Sequence, residues 1–342
     1  MTTKTMSKSQ SEHSLKRPRR ALGSFHHPLY DVCIIGAGAA GLCAGIFSAR
    51  RGLSTLILGS DLGGQTASTA EIENYPGCRA IEGPDLIREF YEEALRFGCL
   101  FSVDRIGHIK KSNGGFSVGG TLQEYVSKTV IVATGKSPRM LGVPGEDSFI
   151  GHGIVYGGAF DPIGYKGKRV VIVGGGNSAM DAAARLAGYA SQITVVHRRD
   201  GFTGEAILRE RVERISDIDC RFGSRIISLG GSQCLESVEI ESGDASRRVL
   251  QADALIVAIG FEARNEWFAG ILACSSDGRI IVDSRCRTNC EGIFAAGDCT
   301  TVPYQQIVIS AGEGAKAALS AYRYVAKNDG RRPVQVDWGY IQ

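Results

Sequence analysis

The residues best suited to redox chemistry in this sequence are its ten cysteines, none of which forms a Cys-x-x-Cys pair. The closest pair is Cys286 and Cys290, in the stretch CRTNC. Fully extended, four residues span about 13–14 Å, too far for a disulfide, whereas a tight turn would bring the thiols into range. The pair is a candidate redox centre, with two unrelated buried thiols as the alternative. Attack by a thiolate needs a lowered thiol pKa, to which Arg285 and Arg287 could contribute.

A glycine-rich loop, GAGAAG, can cradle the phosphates of a dinucleotide. It follows the apolar strand YDVCII and places Gly36, Gly38 and Gly41 at the G-x-G-x-x-G spacing, ahead of a helical stretch. These glycines allow a tight turn, close approach of the backbone to a pyrophosphate, and close packing of helix on strand. Asp61 lies 20 residues after Gly41, where an acid can bond a ribose hydroxyl. The sequence therefore predicts a dinucleotide site here.

The pattern of strand, glycine-rich loop and helix recurs in KRVVIVGGGNSAMDAAARLAG, which carries Gly174 and Gly176, and ITVVHRR follows as the next strand. The acid expected at the end of that strand is absent, and Arg198 and Arg199 stand there instead. Arginines in this place suit a 2′-phosphate, so the second site is predicted to bind NADP rather than NAD. The alternative is that the two arginines form a solvated basic edge.

The elements around these loops predict an α/β fold with two Rossmann-like dinucleotide-binding domains. The strands TVIVATG and ALIVAIG end alike and mark passages between domains, and GIFAAGD places Asp298 at a strand terminus before a helix. An acid there can bond a ribitol hydroxyl, and a helix N-terminus can support negative charge on a flavin. The predicted segments are a disordered basic extension (1–29), the first part of a discontinuous FAD-binding domain (30–141), an NAD(P)-type nucleotide-binding domain (142–263), the second part of the FAD-binding domain (264–326) and an aromatic tail (327–342).

Composition and charge are ordinary for a globular protein of 342 residues, with 43% hydrophobic and 22% charged residues. No apolar run approaches the roughly 20 residues of a membrane span. The net charge is +3, and residues 1–28 hold +5 of it, so the remainder carries −2 and shows no bias towards nucleic acid. Scattered cysteines and the lack of a secretory signal predict a cytoplasmic protein without a metal site.

The basic N-terminal extension contains the stretch LKRPRR. We expect it to be disordered. A weak electrostatic hold on anionic membrane surfaces is one alternative, which would make the protein peripherally membrane-associated. An organellar transit peptide is another, although the amphipathic arginine pattern of such peptides is missing.

Taken together, the motifs resemble those of the low-molecular-weight thioredoxin reductase family. The matching stretches are GAGAAGL, GGQTASTAEIENYPG, TVIVATG, VVIVGGGNSAMDAA, HRRDGF and GIFAAGD, with SAGEGAKAAL after them. The resemblance implies a homodimer, FAD on the first loop, and NADP(H) on the second. It assigns FAD contacts to Gly36, Gly38, Gly41, Asp61, Gly64, Gln65, Asn74, Asp298, Gln306 and Ile307. For NADP(H) it points to Gly176, Asn177, Ser178, Arg198 and Arg199.

Two departures from the family change the expected chemistry. The family carries a redox Cys-x-x-Cys and an Asp ahead of the second loop, and counting back from GGGN places these on Gly157, Phe160 and Asp161. Neither glycine nor phenylalanine can carry electrons, so flavin-to-disulfide transfer by the family route, and with it a thioredoxin reductase activity, is excluded on chemical grounds. The smaller departure is Thr203, which stands where the family's phosphate site adds an arginine.

Phe160 and Asp161, at the position of the family's redox disulfide, each have two interpretations. Phe160 is expected to lie against the isoalloxazine ring, as packing that fills the space or as a stacking gate. Asp161 is either a proton donor or the cap of a turn at Asp-Pro.

One branch of the family, the diflavin-linked disulfide oxidoreductases of oxygenic photosynthetic prokaryotes, carries two flavins and passes electrons from thiols towards flavin. The missing Cys-x-x-Cys, the Cys-x-x-x-Cys pair and the tail VDWGYIQ fit that branch, in which a second FAD would take the place of NADP(H). Trp338 and Tyr340 could then stack on a flavin or second nucleotide. The alternative is an unstructured C-terminus.

Three alternative functions are compatible with these motifs. The first is an FAD enzyme that exchanges electrons between a dithiol or disulfide partner and flavin through Cys286 and Cys290. The second is an NADPH diaphorase or ferredoxin/flavodoxin–NADP reductase-like enzyme, in which a quinone, an electron-carrier protein or O₂ takes the electrons. The intact second loop and the HRR stretch favour it. The third is a non-catalytic flavin-binding sensor.

Overall fold

The computed structural model describes residues 28–69, 71–157, 160–264, 266–268 and 270–334. The predicted tail residues Trp338 and Tyr340, and most of the N-terminal extension, lie outside the described residues. The strands are β1 Leu29–Ile35, β2 Thr55–Gly59, β3 Leu100–Val103, β4 Ile106–Ser112, β5 Gly115–Gly120, β6 Glu124–Val132, β7 Ser137–Pro138, β8 Ile154–Tyr156, β9 Arg169–Val173, β10 Gln192–Val196, β11 Ile218–Arg221, β12 Ser224–Gly231, β13 Leu235–Ser242, β14 Arg247–Gln251, β15 Ala254–Val257, β16 Phe261–Glu262 and β17 Ile293–Ala295. The α-helices are α1 Ala39–Arg50, α2 Gly64–Ala67, α3 Gly83–Arg96, α4 Glu146–Phe149, α5 Asn177–Leu186, α6 Ala206–Glu213 and α7 Ile307–Asn328. Among these helices, none combines the length and apolar character that crossing a membrane requires.

A seven-stranded sheet carries the first glycine-rich loop. Its order is β3-β2-β1-β6-β5-β4, and β17 also pairs with β6. Two strands share one side of β6, because β5 pairs with its residues 124–127 and β17 pairs in parallel with residues 130–132. The sheet therefore takes its last strand from a part of the chain that follows the whole second sheet.

The two faces of this sheet bury separate cores, because successive side chains on a strand point to opposite faces. Val32 and Ile34 of β1 pack on one face with residues of α1 and α7. Cys33 and Ile35 pack on the other face. Each fully buried aliphatic side chain contributes about 1.5–3 kcal/mol, so the alternation fixes the register of β1 and the position of the loop after it.

A five-stranded parallel sheet, of order β11-β10-β9-β15-β8, carries the second glycine-rich loop. Val170 and Ile172 of β9 pack on the side of α5, and Val171 and Val173 pack on the side of the antiparallel sheet β12-β13-β14. Two Rossmann-like sheets are thus present, and the predicted α/β class is confirmed.

A short antiparallel pair lies where the chain passes between the two sheets. β7 follows β6 of the first sheet, and β16 follows β15 of the second, and the two pair through Phe261 with Pro138 and Glu262 with Ser137. The stretches TVIVATG and ALIVAIG supply β6 and β15, as far as Val132 and Val257 respectively. The predicted segment boundaries at 141 and 263 fall just beyond this pair and stay predictions.

Candidate nucleotide and redox sites

The first glycine-rich loop leaves no room for side chains where it crosses the sheet. Gly36 has a φ of +113°, and a Cβ there would overlap the carbonyl oxygen of Ala133 at the end of β6. A Cβ at Gly41 would in turn overlap the carbonyl oxygen of Gly36. α1 begins directly after Gly38, which supplies no side-chain cap. The first N–H groups of α1 are therefore left for a phosphate, as a dinucleotide site requires.

The residues after β2 form a turn beside this loop. Asp61 accepts a hydrogen bond from the backbone N–H of Gly64, at 3.1 Å. Gln65 Nε2 donates to the carbonyl oxygen of Lys136, at 3.0 Å, so this turn contacts the stretch that follows β6. The structure thus brings three of the predicted FAD contacts to the carboxyl edge of the parallel strands, where ligands bind in open α/β sheets.

The start of α7 completes the first site. Asn74 Nδ2 donates to Gln306 Oε1 at 3.0 Å, which joins two predicted FAD contacts that lie far apart in sequence. Ser310 Oγ donates to Asp298 Oδ1 at 2.8 Å. α7 begins at Ile307 without a side-chain cap, so its N-terminal N–H groups are available to an anionic group. These residues fit the FAD that the sequence motifs imply.

The second glycine-rich loop repeats the design with one difference at its helix. A Cβ at Gly174 would overlap the carbonyl oxygen of Ala258, as at the first loop. Gly176 has open space around it, and α5 begins at Asn177 without a side-chain cap. Asn177 is bound to Glu205 through its Nδ2, at 2.9 Å, and through its Oδ1, which accepts from the Glu205 N–H at 2.8 Å. The predicted contact Ser178 lies exposed in the first turn of α5.

The basic strand end beside this loop presents two arginines. Arg198 and Arg199 are exposed and make no ion pair within the part of the chain that the structure describes. His197 packs under Gly175, and its buried Nε2 has no hydrogen-bond partner among the described residues. Burial, and then the charges of Arg199 and Arg198, lower the pKa of His197. Thr203 binds the Gly175 carbonyl oxygen through its backbone N–H, at 2.7 Å. The surface carries uncompensated positive charge, which suits a phosphate group.

Three residues around these sites were not among the predicted contacts: His197, Glu205 and Lys136. The HRR stretch gave a signal for His197. Glu205 and Lys136 come into the sites only through the fold, by contacts with Asn177 and Gln65 respectively.

The vacant disulfide position has a backbone that disfavours cysteine. Gly157 is buried, has a φ of +80°, and donates its N–H to the Val257 carbonyl oxygen at 2.9 Å. Residues other than glycine rarely adopt that φ without strain.

Phe160 contacts residues of the second sheet's domain. Its ring meets Tyr165 edge-on, with centroids 5.2 Å apart, and the Arg185 guanidinium lies 4.7 Å from its centroid. Arg185 also donates to the Phe160 carbonyl oxygen at 2.6 Å. Cation–π and aromatic contacts thus hold the ring on the core of the second sheet, and its predicted contact with the isoalloxazine stays a prediction.

Asp161 caps a turn. Its Oδ1 accepts the backbone N–H of Ile163 at 3.0 Å, at the start of the short 3-10 helix Pro162–Tyr165. Of its two predicted roles, the structure shows the cap, and the proton-donating role has no support from a described contact.

The predicted redox pair does not form. Cys286 belongs to the core on the α1 and α7 face of the first sheet, and Cys290 belongs to the core on the opposite face. Both are buried and neither forms a disulfide. The reason is local: the carbonyl oxygen of Cys286 accepts from the backbone N–H of Ala295, and Cys290 lies in the turn between these two segments, where Thr288 Oγ1 binds its backbone. The expectation of a Cys286–Cys290 redox pair is wrong.

The surroundings of Cys286 also disfavour a thiolate. Its Sγ donates to Glu313 Oε2 at 2.9 Å. Burial, and then the bond to Glu313, raise the pKa of the Cys286 thiol. Arg287 cannot lower it, because its guanidinium binds Asp283 at 2.6 Å. The arginines therefore do not give the expected lowering of the thiol pKa, because burial and the Glu313 carboxylate raise it.

Comparisons with known proteins agree with this geometry. The family described as "Pyridine nucleotide-disulphide oxidoreductase" matches residues 30–314. The thioredoxin reductase of Listeria innocua serovar 6a is 34% identical over 300 residues, covering 87% of this chain and 94% of that protein. The F component of the alkyl hydroperoxide reductase of Escherichia coli strain K12 is 36% identical over 314 residues, covering 87% of this chain but only 58% of that protein.

Solved structures give the same result. The thioredoxin reductase of Lactococcus lactis, in its FR conformation, superimposes with a TM-score of 0.77 at 30% identity, covering 87% of this chain and 99% of that one. The thioredoxin reductase of T. acidophilum gives a TM-score of 0.75 at 31% identity, covering 88% and 99%.

Proposed function

Because the chain belongs to the pyridine nucleotide-disulphide oxidoreductase family, whose members are flavin-dependent oxidoreductases, we propose that it reduces an acceptor other than a disulfide of its own chain. In this proposal NADPH at the second glycine-rich loop reduces FAD at the first. The electrons then pass directly to an external acceptor, a quinone or an electron-carrier protein. We also propose a homodimer, as the family resemblance implies.

One observation carries this proposal: neither of the two positions considered for a redox pair holds two thiols that face each other. The position ahead of the second loop holds Gly157 and Phe160, and Cys286 and Cys290 lie in cores on opposite faces of the first sheet. The relatives are named for the reduction of thioredoxin or of alkyl hydroperoxide. For this chain, exchange with a dithiol partner through Cys286 and Cys290 is not retained.

The proposed chemistry requires the protein to hold two cofactors and to keep them oriented. Bound FAD would supply the two-electron acceptor. The loop at Gly36 and the start of α1 would hold its pyrophosphate, and Asp298, oriented by Ser310, would bind its ribitol. At the second loop, Arg198 and Arg199 would hold the 2′-phosphate of NADPH.

The second loop favours NADP(H) over a second FAD. Arg198 and Arg199 are exposed and make no ion pair with any described residue. A 2′-phosphate would neutralise their positive charge, whereas FAD has no such phosphate and would leave the charge unpaired. We therefore expect one flavin per chain. A measured ratio of two flavins per chain would contradict the assignment.

Anaerobic rapid mixing of the purified flavoprotein tests the proposal. We expect NADPH to bleach the flavin absorbance within the dead time or seconds after it, and NADH to act much more slowly. A small dithiol should not bleach it at a comparable rate. The Cys290→Ser variant is the matched control, because serine removes the thiol while Cys286 and its bond to Glu313 stay intact.

The opposite pattern would overturn the proposal. If a dithiol bleaches the flavin and Cys290→Ser abolishes the bleaching, the thiol route is restored. If neither NADPH nor a dithiol bleaches a flavin that dithionite does reduce, the protein is a flavin-binding sensor instead.

A further inference from the structure

The end of the first sheet that lies away from the first glycine-rich loop is formed by the last turns of helices. α1 starts at that loop and ends at Arg50, about 18 Å further along its axis. α1 ends shortly before β2 begins, and α3 ends at Arg96 shortly before β3 begins. Because β2 and β3 are parallel neighbours, the two helices end at the same end of the sheet.

Cation–π contacts join the ends of these helices. The guanidinium groups of Arg50 and Arg96 lie 5.4 and 5.1 Å from the centroid of one ring, that of Phe97. The guanidinium of Arg51, the next residue after Arg50, lies 5.4 Å from the ring centroid of Tyr322 on α7. The two consecutive arginines thus contact two different neighbours, and they connect α3 with α7 across the end of α1.

The chain that follows α7 adds further cations to this area. It folds back on the helix, because the backbone N–H of Arg331 donates to the carbonyl oxygen of Ala326 at 2.8 Å. The N–H of Val334 then donates to the Tyr322 hydroxyl at 3.2 Å, which brings residues 331–334 beside the ring that Arg51 contacts. The basic surface, as we call it, consists of Arg50, Arg51, Arg96, Arg331 and Arg332.

The acids bound to the basic surface do not neutralise it. Glu93 lies 3.3 Å from Arg96, and Asp329 lies 2.6 Å from Arg331. Asp329 is shared with Lys128, whose Nζ lies 3.0 Å from it. Two exposed members of the surface make no ion pair with any residue that the structure describes: Arg50 and Arg332. The basic surface therefore keeps uncompensated positive charge.

Apolar side chains stand exposed beside these cations. Leu95, Leu100 and Val334 are 42%, 55% and 58% exposed. The two leucines flank Arg96 and Phe97 in sequence, and Val334 is the residue bound to the Tyr322 hydroxyl. Cations interspersed with exposed leucine are typical of protein surfaces that lie in the headgroup region of a membrane.

The basic N-terminal residues join the folded part of the chain near this surface. Residues 1–28 carry a net charge of +5, and β1 begins at Leu29. Two residues further on, Asp31 accepts the backbone N–H of Ser54 at 2.9 Å, and Ser54 follows Arg51 by three residues. The charge of residues 1–28 therefore adds to that of the basic surface.

We propose that the basic surface, together with residues 1–28, docks the protein on a membrane that contains anionic phospholipids. Negative headgroups would neutralise the unpaired arginines, and the exposed leucines would enter the boundary between headgroups and acyl chains. A polyanion such as duplex DNA would leave these leucines in water. Docked in this way, the first glycine-rich loop, at the other end of α1, faces the solution. The inference does not depend on the proposed redox reaction.

Co-sedimentation of the purified, flavin-loaded full chain with vesicles tests the proposal. We expect binding to phosphatidylcholine vesicles that contain roughly one-third phosphatidylserine, and at least about tenfold weaker binding to phosphatidylcholine alone. Added salt should weaken the binding by screening the charges. Arg50→Gln combined with Arg332→Gln should weaken it about 25-fold, about fivefold for each cation removed.

A matched control removes the same charge elsewhere. Arg211 and Arg248 are exposed on α6 and β14 and make no ion pair with a described residue. Arg211→Gln combined with Arg248→Gln should change vesicle binding by less than about twofold, because these positions lie outside the basic surface. Leu95→Ser combined with Leu100→Ser should weaken vesicle binding about tenfold while leaving every charge in place. Full flavin content in each variant reports that it is folded.

The contrary outcomes are specific. Equal binding to vesicles with and without phosphatidylserine, or unchanged binding after loss of Arg50 and Arg332, would overturn the proposal. If duplex DNA binds as tightly as the anionic vesicles and the leucine variant binds both normally, the surface recognises polyanions rather than membranes. If light scattering shows that the arginine variant has lost a dimer that the unsubstituted protein forms, the surface is a contact between two copies of the chain, and the membrane proposal fails.

Discussion

The two glycine-rich loops have the same backbone design but different surroundings. Both follow a buried parallel strand, both press against a carbonyl oxygen from a neighbouring strand end, and both precede an uncapped helix. After the next strand, however, the first site carries Asp61, which binds the N–H of Gly64, whereas the second carries Arg198 and Arg199, whose side chains make no ion pair with a described residue. The loop therefore sets where a pyrophosphate lies, and the following strand end sets which nucleotide is accepted.

A second difference concerns the exposure of the two loops. The glycines themselves are packed alike, because Gly36 and Gly174 have no room for a methyl group, whereas Gly38 and Gly176 do. A helix and a strand from distant segments enclose the first loop, and the second loop is exposed at its helix end. The first site is thus suited to a cofactor that stays bound, and the second to one that exchanges.

The largest effect is expected at Gly36. Gly36→Ala forces a Cβ onto the Ala133 carbonyl oxygen at a φ of +113°, and should lower the free energy of unfolding by about 3 kcal/mol or more and abolish FAD retention. Gly176→Ala should change the free energy of unfolding by less than about 1 kcal/mol. Chemical denaturation and the ratio of flavin to protein absorbance measure both. Equal losses in the two variants would show that the overlap with the Ala133 carbonyl oxygen does not decide the effect at Gly36.

The next effect concerns the choice of nucleotide at the second loop. Arg198→Ala combined with Arg199→Ala should weaken NADPH binding by about 100-fold, since hydrogen bonds to charged groups contribute about 1.5–3 kcal/mol each. NADH binding should change by less than about threefold, because NADH lacks the 2′-phosphate. Calorimetric titration of both nucleotides gives the comparison. A loss of the same size for NADH would mean that the arginines do not recognise the 2′-phosphate.

Thr203 allows a smaller test in the opposite direction. Thr203→Arg leaves the backbone bond to Gly175 in place and adds a cation close to Arg198 and Arg199. NADPH affinity should rise about tenfold, the scale of one hydrogen bond to a charged group. The same titrations decide this, and an unchanged affinity would show that position 203 does not reach the phosphate.

The smallest effect is a pH dependence from His197. Its pKa in the folded protein lies below the ordinary value of 6.5, because burial and the two arginines disfavour the charged imidazole. The unfolded chain therefore takes up a proton more readily, so stability is full above pH 6.5 and falls as pH drops below it. His197→Gln should remove this part of the pH dependence. Melting temperatures of both proteins between pH 7.5 and 5.5, without nucleotide, provide the measurement, and parallel curves would exclude the effect.

The parts of the fold that the sequence predicted are those set by local pattern. A buried strand, a glycine loop and a helix lie within about 20 residues of one another, and their spacing alone identified Gly36, Gly41 and Gly176. Asn74 and Gln306 required the family resemblance as well, since the sequence places them far apart, and the structure joins them by a hydrogen bond.

The errors concern contacts that depend on distant residues. Whether Cys286 and Cys290 share a face of the sheet depends on the turn at Thr288 and on pairing with Ala295, which spacing does not reveal. The contact of Phe160 with Arg185 was not predicted, because Arg185 lies on the helix after the second loop. Lys136 carried no sequence signal, because only the fold brings its carbonyl oxygen to Gln65.

The insertion of β17 beside β6 has a consequence for biosynthesis. The second sheet is drawn from one continuous stretch, 154–257, but the first needs 29–132 together with 293–295. During synthesis on a ribosome, the second sheet can thus be complete before β17 has been made. Residues 130–132 of β6 then lack their partner strand on one side, and such an open strand edge favours association with other chains. We expect the protein to bind its flavin last, once β17 and α7 have left the exit tunnel, so that the supply of FAD affects folding only at the end of synthesis.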